Sequence, residues 1–211
     1  MLQKTGKVIT DHIRDNKFTY LSLFIFYIIG ICLGAASVND LDYQQKGEMA
    51  NFFNGFLKLL DNSNLNQISL FKTSLLDNFK IIVLFWVLGF TVIGFPMYYV
   101  VIGMKGFSTG FSSGIIMGVL GAKGVLISTA CFLPKEIIVI PCFIAIGVNG
   151  IKLSRSILIT LVKKSAARDS GLKQRILPYS FVAGFFSLFI LFATILEAFI
   201  SSGALRLLNF I

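Results

Sequence analysis

The chain has 211 residues, 55% of them hydrophobic and only 14% charged, with phenylalanine at 22 positions and a formal net charge of +9. A water-soluble domain carries about 25% charged residues, so this composition excludes one and places the chain in lipid. A basic balance can signal nucleic acid, but here the cations fall where membrane topology puts them, and no nucleic-acid partner is expected.

Residues 1–17 read as an amphipathic helix on the membrane surface, with Leu2, Val8, Ile9 and Ile13 sharing one face. A bilayer core takes about 20 apolar residues per helix, and 18–38 is the first such run. Its basic start and its ending in Gly34-Ala35-Ala36 imitate a secretory signal. Its apolar core exceeds the usual length of about 7–15 residues, and further spans follow, so it reads as an uncleaved first span.

Residues 39–80 form a loop between spans. Asn39-Asp40 and Asp61-Asn62-Ser63-Asn64 mark turns. Met49, Phe52, Phe53, Phe56, Leu57 and Leu60 recur at helical spacing, and Ile68, Phe71, Leu75, Leu76 and Phe79 do the same. Two amphipathic helices are expected. The stripe of Phe52, Phe53 and Phe56 either packs on the bilayer and the bundle or docks a partner's membrane-proximal helix.

The second span runs over 81–104, kinked at Gly94 and Pro96 because proline removes a helical bond. A tight connection at Gly103-Met104-Lys105-Gly106 turns it into an antiparallel third span, 107–133, with a break expected near 121–124. The fourth span is 136–160, a basic loop covers 161–177, and the fifth span is 178–203. None of these runs alternates as a barrel strand would. The expected fold is all-α: one polytopic membrane bundle over 1–211, with about five transmembrane helices and amphipathic helices at the N-terminus and in the first loop.

Charge placement orients it. Lys4, Lys7, Arg14 and Lys17 precede the first span, and Lys152, Arg155, Lys163, Lys164, Arg168, Lys173 and Arg175 surround the last loop, whereas 38–80 is nearly neutral. Lysine and arginine mark the cytoplasmic side. The N-terminus is therefore expected inside, the first loop outside, and the C-terminus outside. The basic residues also favour anionic membrane lipids.

Gly106, Gly110, Gly114 and Gly118 recur every four residues, with Ser108, Ser112 and Ser113 between them. Residues four apart share a helix face, so these make a bare stripe for helix packing. Close backbone approach is what holds membrane helices together. The neighbour on the stripe is either another helix of this chain or a second copy, a homo-oligomer. A phosphate loop fails here because Gly124, not a hydroxyl residue, follows Lys123. The dinucleotide glycine pattern is absent, and nothing resembles a potassium filter.

Charges inside membrane segments carry function by default. Counting about 1.5 Å per residue from the expected span starts puts Lys123 roughly 24 Å and Glu197 roughly 28 Å up. Glu136 opens the descending fourth span. All three are expected near the outer edge, either as interfacial charges or as an outward-facing polar cluster, with Asn149 a further polar residue in the fourth span. His12 is the sole histidine, and Cys32, Cys131 and Cys142 all sit in apolar segments as packing residues. No metal-ligand spacing, catalytic constellation or cofactor motif appears. A binder, scaffold or passage fits this inventory better than an enzyme.

Two stretches then stand out: FKIIVLFWVLGFTVIGFPMYYVVIGMKGFSTGFSSGIIMG from Phe79 to Gly118, and LPKEIIVIPCFIAIGVNGIKLSRS from Leu133 to Ser156. Together with the plan of one helix, an outer loop and four more helices, the chain resembles the stage II sporulation protein M family of endospore-forming bacteria. The resemblance spans nearly the whole chain. It rests on the glycine-rich third helix and on Pro134, Glu136 and Gly150-Ile151-Lys152. It implies a mother-cell membrane protein of forespore engulfment. Such a protein would be a non-hydrolytic scaffold that recruits two peptidoglycan-remodelling partners, a lytic transglycosylase (sporulation protein D) and an amidase (sporulation protein P). Beside it stands a second reading, a transporter- or channel-like subunit built from the kinked second helix, the broken third and the outer charges.

Overall fold

Apolar runs without alternation satisfy their backbone hydrogen bonds within helices. The computed structural model, which describes residues 14–45, 47–49, 51, 67–162 and 170–208, places them in five long ones. They are α1 (Lys17–Ser37), α2 (Gln67–Gly89), α3 (Gly94–Leu120), α4 (Ala122–Val162) and α5 (Ser170–Leu208). Among the described residues, four stretches are long and apolar enough to cross a membrane: Lys17–Ser37, Gly94–Leu120, Phe132–Thr160 and Ile176–Ile195. α2 carries Lys72, Asp77 and Lys80 and is less apolar than these. It lies antiparallel to α5, with Asn78 meeting Thr194 and Gly89 meeting Tyr179.

Residue pairings fix the directions. Tyr27 faces Gly106, and Ile31 faces Gly110, so α1 and α3 run parallel. Phe95 meets Ser154 and Thr109 meets Glu136, so α3 and α4 run antiparallel. The start of α1, the α2–α3 turn, the end of α4 and the start of α5 therefore share one end of the bundle. Arg14, Lys17, Lys152 and Arg155 cluster there, and we call it the basic end. α4 is the central helix: 72% of its most apolar window is buried, against 22% for each of the other three.

Two turns depart from the positions expected from sequence. The chain reverses at 90–93, not at 103–106, which is the interior of α3. Pro96 accordingly sits in the first turn of α3 and does not kink a span. A first-turn N–H has no partner within the helix, so proline is cheap there. The second reversal is at Gly121, whose φ of 59° lies where glycine is favoured. Its N–H bonds to the Met117 carbonyl at 2.9 Å and closes α3. α4 then runs unbroken through Pro134 and Pro141, where a span boundary at 134–135 was expected.

The glycine stripe is used within the chain. A methyl group at Gly106 would overlap the Tyr27 carbonyl, and one at Gly110 the Ile31 carbonyl. The contact is reciprocal: Gly30 and Gly34 on α1 lie against the carbonyls of Gly103 and Phe107 on α3. The hydrogen standing where each Cβ would be points at a carbonyl oxygen, the geometry of a weak Cα–H···O bond. Gly114 is looser, its nearest neighbour being a Val38 methyl at 2.9 Å, and Gly118 has nothing within 4 Å.

Polar contacts lock the basic end. The hydroxyls of Tyr98 and Tyr179 each donate to the Phe85 carbonyl at 2.7 Å and lie 3.1 Å apart. Tyr98 covers Gly150 and Tyr179 covers Gly89, leaving no room for a side chain at either glycine. Ser154, fully buried on α4, closes the α2–α3 turn. Its Oγ donates to the Thr91 carbonyl at 2.7 Å, with that of Val92 at 3.2 Å, and accepts from the Phe95 N–H at 3.1 Å.

Gly110→Leu and Gly34→Leu are expected to destabilise the folded chain by about 1–3 kcal/mol or more, the usual range for overpacking. Gly118→Leu should stay near wild type; thermal unfolding in detergent checks the contrast. Ser154→Ala leaves the Phe95 N–H without its acceptor and should cost about 1–3 kcal/mol, read in the same assay.

Candidate functional site

α1 leans on α3 along its length and touches α4 sparsely. The close glycine contact draws α1 over α3 and leaves a gap beside α4. This gap is a groove of about 1700 Å³. Leu21, Phe24 and Ile28 of α1 form one wall, Leu133 and Ile137 of α4 the other, and Thr109 and Ser113 of α3 the floor. The five apolar wall residues are all exposed, so the groove opens sideways toward the bilayer. Small-ligand pockets are about 300–1,000 Å³, and this groove is larger.

One carboxyl group interrupts the apolar walls. Glu136 lines the groove half-way along it. The Thr109 hydroxyl lies 3.1 Å from both Oε1 of Glu136 and the Lys105 carbonyl, and its one proton serves one acceptor at a time. Tyr27 stands beside Thr109 and Glu136 in the same lining. Oε2 of Glu136 is buried without a hydrogen-bond partner. Lys105 stands at the same level on α3, beside Tyr27, Ile81 and Phe143.

The depth of this group follows from Tyr27, the central residue of the 21-residue α1. At about 1.5 Å per residue, α1 matches a bilayer core of about 30 Å, and Tyr27 is midway along it. Glu136 and Lys105 share its level. Glu136 was expected at the outer edge because a span boundary was placed at 134–135, where α4 in fact runs on, and Lys105 in an inner turn because the chain was expected to reverse at 103–106. With that reversal at 90–93, α3 already reaches mid-depth at residue 105.

Glu136 and Lys123 belong to the same helix. Both lie on α4, thirteen positions apart, roughly 20 Å along a helix. The side chains of Lys123 and Glu197 lie outside the described residues, as do Phe52, Phe53 and Phe56. Of the stripe, Gly106 and Gly110 are brought against α1, Gly114 makes a lighter contact, and Gly118 none. Sequence reasoning missed Tyr27, Thr109 and Lys105 as neighbours of Glu136. A tyrosine in the middle of an apolar run was the available signal for the first. A second buried polar pair joins α2 to α5, where Asn78 donates to Thr194 at 2.9 Å. Among the described residues no group of three His, Cys, Asp or Glu side chains stands together as a metal site would require.

Comparison with curated proteins and with solved structures gives no match. The family model described as Stage II sporulation protein M matches residues 23–202. That range takes in most of the first apolar span, all of the other three, most of the groove lining and Glu136, and it agrees with the resemblance carried by the glycine-rich third helix and the stretch after Pro134. The chain belongs to the stage II sporulation protein M family, and is a multi-pass sporulation membrane protein.

Proposed function

We propose that this protein is a non-enzymatic membrane scaffold that holds peptidoglycan-remodelling enzymes at the septal membrane during forespore engulfment. The observation that supports it best is the lateral groove, which offers a membrane-spanning partner a long apolar seat reached from within the bilayer. The family resemblance supplies the partners: sporulation proteins D, a lytic transglycosylase, and P, an amidase. The stripe of Phe52, Phe53 and Phe56 would take their membrane-proximal segments. The basic end, with Arg14, Lys17, Lys152 and Arg155, faces the mother-cell cytoplasm by the positive-inside rule. The C-terminus then lies outside. Anionic lipid adds about 1 kcal/mol per basic residue near the surface.

A second reading, passage of a solute, is favoured by Glu136 and Lys105 at mid-depth, since intramembrane charges often mark pathways. The groove faces lipid along its walls, which favours the scaffold.

Two outcomes are expected. Filling the groove with Ser113→Trp should lower recovery of proteins D and P from sporulating cells several-fold at an unchanged level of the chain itself. Unchanged recovery would remove the groove from the scaffold reading. In a cysteine-free background, a cysteine at Asn39 should react with a membrane-impermeant thiol reagent from outside, and one at Ser156 only after lysis. A cysteine at Thr109 should stay protected from both sides, whereas labelling from both sides would establish a water path and the passage reading.

A further inference from the structure

The carboxyl group of Glu136 is half-served. Oε1 has Thr109, while Oε2 is buried and has no partner. A buried acceptor without a donor is costly, more so on an ionisable group. Glu136 also lines the groove, so its carboxyl group borders the space that a partner would fill. Lipid cannot supply that donor. Phospholipid donors sit in the headgroups, about 15 Å from the midplane of a core about 30 Å thick, and acyl chains carry none. A transmembrane helix can place a polar side chain at that depth.

We infer that the groove receives a transmembrane helix carrying a hydrogen-bond-donating side chain at its midpoint, which Glu136 accepts. This rests on the scaffold reading and adds the chemistry of the partner. The lining extends the match: Ser113 and Thr129 lie toward the far end of the groove and Asn149 toward the basic end, so polar side chains stand among its apolar walls. Small polar side chains across helices are what bind them in lipid. A second copy of this chain is a weaker occupant, because the close-approach glycines Gly106 and Gly110 are already occupied by α1.

The test uses the full chain in phosphatidylethanolamine–phosphatidylglycerol vesicles. The probes are three labelled leucine–alanine spanning peptides: one with asparagine at its centre, one with asparagine two turns off centre, and one without it. Energy transfer at high lipid dilution reads binding. The central-asparagine peptide should bind about tenfold more tightly than the other two, the scale of one interhelical hydrogen bond in lipid. Glu136→Leu should make the three alike, and Glu136→Gln, which keeps an acceptor, should retain a preference. Equal binding of the three to wild type overturns the inference, as does a preference that survives Glu136→Leu. Transfer between copies of the chain that no peptide displaces would make a second copy the occupant and also overturn it. If Glu136→Leu does not accumulate, the wild-type comparison of central with off-centre asparagine decides alone. Lost peptide preference with intact recovery of proteins D and P removes the inference and leaves the scaffold. Intact preference with no recovery from cells does the reverse.

Discussion

Backbone contact between α1 and α3 is the constraint from which the rest of the arrangement follows. Four glycines, Gly30 and Gly34 on one helix and Gly106 and Gly110 on the other, let carbonyls and α-carbons meet without side chains between them. In water the hydrophobic effect would gather these helices whatever their surface. In lipid it offers no preference between a helix and an acyl chain, so shape and weak polar contact must decide. The parallel run of α1 on α3 then obliges α2 to carry the chain back to the basic end. It also holds α1 away from α4. The groove is the geometric remainder of that choice.

The two ends of the bundle use different physics. Toward the middle and far end, α1 and α3 are joined by bare backbone. At the basic end, four helices converge on one acceptor, the Phe85 carbonyl, through two buried tyrosines, and each tyrosine needs a glycine beneath it to fit. Aromatic edge-to-face contacts between Phe85, Tyr98 and Phe143 fill the space around this node. Such geometry adds a little to the area buried and fixes the angles at which the helices cross.

The sequence announced the glycine contact clearly, because a four-residue repeat of a poor helix former has no cheaper explanation. It could not say which helix answered it: Gly30 and Gly34 read equally well as small residues in an ordinary span. The turn at 90–93 was hidden for a definite reason. Its residues, Phe90-Thr91-Val92-Ile93, include no Gly, Pro, Asn or Asp, and the contact that closes it comes from Ser154 on another helix. Local turn chemistry is silent where a distant side chain does the capping. Pro96 was ambiguous in the same way, since one proline can kink a span or open one. With the far-end reversal at Gly121 in place of the boundary expected at 134–135, Glu136 moved from the expected rim to the level of Thr109 within the bundle, which changed what the carboxyl group means. The expectations on Lys123, Glu197 and the phenylalanine stripe fall on side chains outside the described residues.

The closure of the α2–α3 turn also sets an order of events during synthesis. Ser154 is 59 residues beyond Phe95, the N–H it accepts. When α3 leaves the ribosome, α1 already exists and its glycines can receive it, but the serine that secures the turn has not been made. The parallel pair can therefore form first. The reversal before it can already be held by the Tyr98 hydroxyl on the Phe85 carbonyl, and α4 then brings the serine that completes its closure.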